Sequence, residues 1–183
     1  MTIGANHPQG SGNCWIIKNQ EYHFKKPMLM GILNVTPDSF SDGGLFQNPI
    51  KAFDHAMKMI DEGADIIDVG GESTQPGSKR IEAEEEISRI IPIIQKLVKH
   101  TNTLISVDTQ KVKVAKAAVD AGATIINDVS AGSFETGMLE LVAQTKVGYI
   151  MMHMQGVPET MQNAPSYTDI ITELRKFFTL KLE

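Results

Sequence analysis

DEGADIIDV (residues 61–69) and DAGATIINDV (residues 120–129) share one plan: an acidic residue, a glycine, an isoleucine pair and a polar end. Glycine after an amphipathic stretch is a common helix stop, because it takes the left-handed conformation without a Cβ penalty. The apolar pair that follows reads as a short buried strand. A helix-to-strand junction written twice implies a repeated βα unit, which favours a solenoid or a barrel.

The same apolar runs appear outward from these two, at residues 28–33, 66–69, 104–107, 124–127 and 148–152. They are continuous rather than alternating, as expected of parallel strands covered on both faces. Helical patterns lie between them. Asn48 before Pro49 reads as an N-cap with proline in the first turn, followed by Phe53, Met57 and Ile60 at helical spacing and closed by Gly63. Thr109 heads a later helix that Gly122 closes. Ile87, Ile90, Ile91, Ile94, Leu97 and Val98 mark another, which Pro92 is expected to kink or divide. Ile170, Leu174 and Phe177 mark the last, running to the chain end. A doubly wound sheet alternates in the same way, but no G-x-G-x-x-G follows the first strand. The expected fold is therefore α/β, a (β/α)8 TIM barrel, here its first five βα units. Residues 1–13 read as a loose polar leader, 14–27 as a hairpin-like segment, and 28–183 as the partial barrel.

The 183 residues are 42% hydrophobic and 21% charged, ordinary for a globular chain. A net charge of −5 argues against a general nucleic-acid or anionic-membrane binder. One cysteine, Cys14, allows no intrachain disulfide, and no apolar run approaches the roughly 20 residues of a membrane span. The N-terminus lacks the basic and apolar regions of a signal peptide. These features lead to an expectation of a cytoplasmic protein.

Each apolar run ends in a group able to do chemistry: Asn34, Asp68, Asp108, Asn127 with Asp128, and His153. Strand C-termini converge on one face of a barrel, so a shared site is expected there rather than separate caps. Two loops add to it, GILNVTPDSFSDGG (residues 31–44) and DVGGESTQPGS (residues 68–78). Their hydroxyls and glycines suit an approaching anion. Neither holds a lysine or arginine, so a bound phosphate wants a metal ion or helix N-termini to balance its charge. Asn34 and the loop carboxylates Asp38 and Asp42 are oxygen donors of the type Mg²⁺ accepts.

These two loops resemble the signature segments of the dihydropteroate synthase family. ISVDT (105–109), INDVSAG (126–132) and MHMQGVPETMQ (152–162) resemble further segments in the family's order. The resemblance covers residue 14 to the chain end. It implies a (β/α)8 barrel of folate synthesis, a sulfonamide target, joining a dihydropterin hydroxymethyl diphosphate to p-aminobenzoate with loss of pyrophosphate and Mg²⁺ present. By the same resemblance Asn34 is associated with metal and diphosphate, and Thr74 contacts the diphosphate. Phe40 and Pro76 shape the aminobenzoate site; Asp108, Asn127 and Met152 line the pterin pocket. The implied chemistry is dissociative, so no general acid or base is assigned, and His153 is expected to be structural.

Two departures from the family stand out. Gln75 occupies the place of its arginine in S-T-R-P-G, exchanging a permanent bidentate charge for neutral donors. The family's later motifs, an aspartate strand, a lysine strand and a final Arg-x-His, are absent, so the chain reads as truncated and is expected to lack turnover by itself. The homodimer implied for the parent is not carried over to it. A pterin-binding methyltransferase domain shares the barrel but has no diphosphate to hold, which the NVTPDSFSDGG loop argues against. A non-catalytic fragment is the other alternative.

Overall fold

The computed structural model describes residues 14–36, 49–72, 80–157 and 160–182. The first described residues form an antiparallel hairpin of β1 (Cys14–Ile17) and β2 (Gln20–His23). Lys18 and Asn19 turn it with φ of 49° and 66°, the positive pair whose twist matches that of the strands. Strands and helices then alternate: β3 (Met30–Asn34), α1 (Pro49–Asp61), β4 (Ile66–Gly70), α2 (Ala83–His100) and β5 (Leu104–Asp108). They continue as α3 (Val112–Asp120), β6 (Ile125–Asp128), α4 (Met138–Thr145), β7 (Gly148–Met151) and α5 (Ile170–Leu182). Strands β3 to β7 form one parallel sheet in chain order. This is the expected βα succession, and the two glycine stops take φ of +105° at Gly63 and +115° at Gly122.

Two expectations change, and one helix proves to have had no sequence signal. Helix α2 runs unbroken through Pro92. A mid-helix proline costs about 3 kcal/mol, but Ile90, Ile93, Ile94 and Leu97 are wholly buried beside it. At about 1.5–3 kcal/mol for each such side chain, burial wins. Helix α3 begins at Val112 rather than at Thr109. The Thr109 hydroxyl accepts from the Lys111 N–H at 3.2 Å, a local turn that keeps it outside the helix. Helix α4 fills the fourth βα unit, where the sequence offered no readable pattern; it is short and buries only Met138 and Leu141, too few to show a period.

Alternation along the strands divides the sheet into two faces. The convex face carries Leu33, Ile67, Val69, Ile105, Val107 and Ile126, packed under the helices as the main core. The concave face carries Ile66, Leu104 and Ile125 at its lower end, where Ile17 and Trp15 of the hairpin close over them. Trp15 fits because Gly148 has no side chain; a Cβ there would lie 2.6 Å from the indole. Lys18 fastens the hairpin, its N–H donating to the Lys146 carbonyl and its ammonium to that of Ala123 at 3.1 Å. The upper concave face is left for polar groups. Among the described residues β3 and β7 each pair on one side only, and Ile32, on the concave face of β3, is 64% exposed.

Gly71, just past β4, sets how closely α2 approaches. A Cβ there would sit 2.8 Å from Ile90 Cγ2 and 3.2 Å from the Glu86 carbonyl. Gly71→Ala should therefore destabilise the chain by about 1–3 kcal/mol, through overpacking against a helix that cannot retreat. An unchanged melting temperature would show that α2 slides freely on the sheet.

Candidate active site

The register places Asn34, Gly70, Asp108 and Asn127 side by side on one rung, at the C-terminal ends of β3 to β6. One rung below, Asp68 pairs with Ser106. All these side chains belong to the concave face, two residues on from its apolar floor. Gly70 keeps the centre of the rung open: a Cβ there would lie 3.3 Å from Asn34 Oδ1 and 3.6 Å from Asp108 Oδ2. The Asn127 amide donates to Asp68 Oδ2 at 2.9 Å. Asp68 is almost wholly buried, and its Oδ1 has no hydrogen-bond partner among the described residues; nor has Ser106 Oγ.

The electrostatics follow from this crowding. Burial raises the Asp68 carboxyl above the usual carboxylate range; Ser106, close by without good hydrogen-bond geometry, and Asn127 work the other way. Asp108 is pushed up to about 7, first by burial and then by the charges of Asp68, Glu86, Asp128 and Glu72. A partly buried carboxyl that titrates near neutrality, beside an orphaned carboxylate oxygen and an amide, marks a place for a ligand rich in N–H donors. Met152 follows β7 and alternates with Gly148 and Ile150, on the concave side. Asn34 is exposed at the end of β3.

Other expected groups lie elsewhere. Asp128 ends β6 but turns to the convex side, where Ser130, Gly132 and Tyr149 donate to it. It braces a turn and leaves the shared site. The His153 ring packs against Phe177 at 4.7 Å and Tyr167 at 5.8 Å. Both its nitrogens are buried without a partner among the described residues. Phe40, Thr74, Gln75 and Pro76, with Asp38 and Asp42, lie outside the described residues. Cys14, Glu21 and His23 bring donor atoms within 4.8 Å of one another on the exposed hairpin, away from the strand ends.

Three charged residues missed in the sequence stand behind the site. Lys111 Nζ donates to Glu72, to Glu86 at 2.6 Å and to the Ile81 carbonyl at 2.8 Å. Glu86 sits in the run EEE of an amphipathic helix, where only its phase with Ile90 and Ile93 distinguishes it from its solvated neighbours. No helix among the described residues is long and apolar enough to cross a membrane.

Comparison with known proteins agrees with this arrangement. Residues 30–183 match the pterin binding enzyme family. The chain is 50% identical over 152 residues to dihydropteroate synthase of Escherichia coli K12, covering 83% of this chain and 54% of that protein. It is 46% identical over 159 residues to dihydropteroate synthase of Synechocystis, covering 87% and 55%. The chain thus spans about half the length of these relatives. Among solved structures, Yersinia pestis dihydropteroate synthase in a sulfonamide complex superposes with a TM-score of 0.82 at 40% identity, over 92% of this chain and 61% of that one. The Xanthomonas albilineans enzyme with 4-aminobenzoic acid gives 0.81 at 42%, over 93% and 60%. With a parallel sheet in chain order, a polar rung at its strand ends and this extent of likeness, the chain belongs to the pterin binding enzyme family.

Proposed function

We propose that this chain is the pterin-binding part of a dihydropteroate synthase, the folate-synthesis transferase that joins hydroxymethyl-dihydropterin diphosphate to p-aminobenzoate and releases pyrophosphate. The observation that carries the reading is the concave rung: Asp108 and Asn127, with Asp68 beneath, around the space that Gly70 leaves open. A pterin edge presents an amine and ring N–H groups beside acceptor atoms. Two carboxylates answer the donors, and the Asn127 amide, itself oriented by Asp68, serves either kind of partner. Met152 covers the apolar ring face.

Departure of the diphosphate leaves cationic character on the pterin methylene, so the protein's work is to hold the leaving group and to place the attacking amine. Thr74 and Gln75 are assigned to the diphosphate, Phe40 and Pro76 to p-aminobenzoate, on resemblance alone. His153, wedged between aromatic rings, fits a structural role. Mg²⁺ fits Asn34, whose amide oxygen is exposed at the open rung and is a hard donor. When bound there, the ion would supply positive charge to the departing diphosphate. The lone cysteine fits a reducing, cytoplasmic setting.

Calorimetry with 6-hydroxymethylpterin tests the reading. The wild-type chain should bind, and Asp108→Asn should weaken binding by about 1–3 kcal/mol, the cost of stranding a ligand donor. Equal affinity in both proteins would remove Asp108 from the pocket. Binding of a methylated folate in preference to the pterin would favour a methyltransferase module.

A further inference from the structure

Behind Asp108 lies a small chamber that pterin recognition leaves unused. Its volume is about 20 Å³, and Glu72, Glu86, Lys111 and Asp108 all line it, with Arg80 and Phe134. That is room for one water molecule. Lys111, its side chain 12% exposed, holds Glu86, which is 1% exposed, through Oε2. The other oxygen, Glu86 Oε1, is buried with no partner among the described residues. Buried carboxylate oxygens are rarely left so, and in a polar chamber the usual remedy is water. Gly71 admits Glu86 to this place, since a Cβ there would lie 3.0 Å from Glu86 Cγ.

We propose that Glu86, anchored by Lys111, is a positioning residue for Asp108 and acts on it through a single water molecule held in this chamber. The water donates one hydrogen to Glu86 Oε1 and the other to the Asp108 carboxylate, fixing the rotation of the group that faces the ligand. The inference rests on Asp108 being the pterin-binding carboxylate. The charges acting on Asp108 come from Asp68 of β4, Glu72 after it, Glu86 of α2 and, from across the sheet, Asp128 of β6, with Lys111 the cation that pairs Glu72 and Glu86. Both Asp108 and Glu86 therefore sit where a small change in orientation changes the local field.

The test follows the Asp108 side chain by carbon NMR in the full 183-residue chain, reading its rotamer couplings and its titration midpoint. Wild type should show one rotamer. Glu86→Gln should average the couplings and lower the midpoint by about half a unit or more. Glu72→Gln, which removes a neighbouring charge but leaves the unpartnered Glu86 Oε1 in place, should leave the couplings alone. Lys111→Met should raise the midpoint and average the couplings, and Lys111→Arg should restore both. If Lys111→Met fails to fold, the near-isosteric Glu86→Gln decides. Unchanged couplings in folded Glu86→Gln would overturn the proposal, as would equal effects of Glu72→Gln and Glu86→Gln. Failure of the wild-type chain to bind 6-hydroxymethylpterin would overturn the functional reading instead, leaving these NMR outcomes to stand or fall on their own.

Discussion

Replacing Asp128 by alanine should lower stability by about 3–5 kcal/mol, because buried donors left unsatisfied cost about 1–3 kcal/mol each. The carboxylate is wholly buried and accepts four hydrogen bonds. Ser130 N–H and Ser130 Oγ donate at 2.7 Å to one oxygen; Gly132 N–H at 2.8 Å and Tyr149 O–H at 2.7 Å donate to the other. Removing it strands all four donors in a turn where Ala131 already takes a positive φ of 50°. With Asp128 in place, burial and the neighbouring carboxylate raise the Tyr149 phenol far above its ordinary range, so it stays protonated and keeps donating to Asp128. Urea unfolding measures the change, with Tyr149→Phe as the milder control at about 1 kcal/mol. A loss below that control would mean the turn holds without its carboxylate.

The second large effect is a dependence on pH. Burial and the surrounding carboxylates push the folded Asp108 carboxyl up to about 7, well above the ordinary carboxylate range. An acid whose folded pKa is raised binds more protons in the native state, so its contribution is favourable below about pH 4 and is lost as pH rises through 7. At 1.36 kcal/mol per unit the loss approaches about 4 kcal/mol at most. Asp108→Asn removes the titration. The variant should therefore match wild type near pH 4 and exceed it in stability at pH 8, while binding pterin worse. Ligand affinity should run the opposite way, rising from pH 5 to 8 as the carboxylate becomes available to the pterin donors. Parallel stability curves for the two proteins across this range would show that burial imposes no penalty at Asp108.

That trade explains which parts were legible in the sequence. The strands were readable because burial on both faces writes continuous apolar runs, and the glycine stops at 63 and 122 because only φ decides them. Strand-end polar residues Asn34, Asp108 and Asn127, picked out in the sequence, fall on one rung of the sheet. Alternation alone could have excluded Asp128, one residue past Asn127 and hence on the other face. Pro92 misled because a local rule was outweighed by tertiary burial of its neighbours. Glu86 had only its helical phase with Ile90 and Ile93 to mark it, and Lys111 was beyond reach: it meets Glu86 across 25 positions of chain, and no local pattern distinguishes a buried lysine from a solvated one.

The hairpin has a consequence for the order of assembly. Each of β4 to β7 pairs with the strand made just before it, so the sheet can grow in step with synthesis. The hairpin is made first, yet its fastenings lie at Ala123, Lys146 and Gly148, near the end of that growth. Trp15 must therefore remain without its partner strand while more than half of the chain is added. A segment made before the sheet is thus among the last to find its place, and until then its apolar side chains Trp15 and Ile17 stay uncovered.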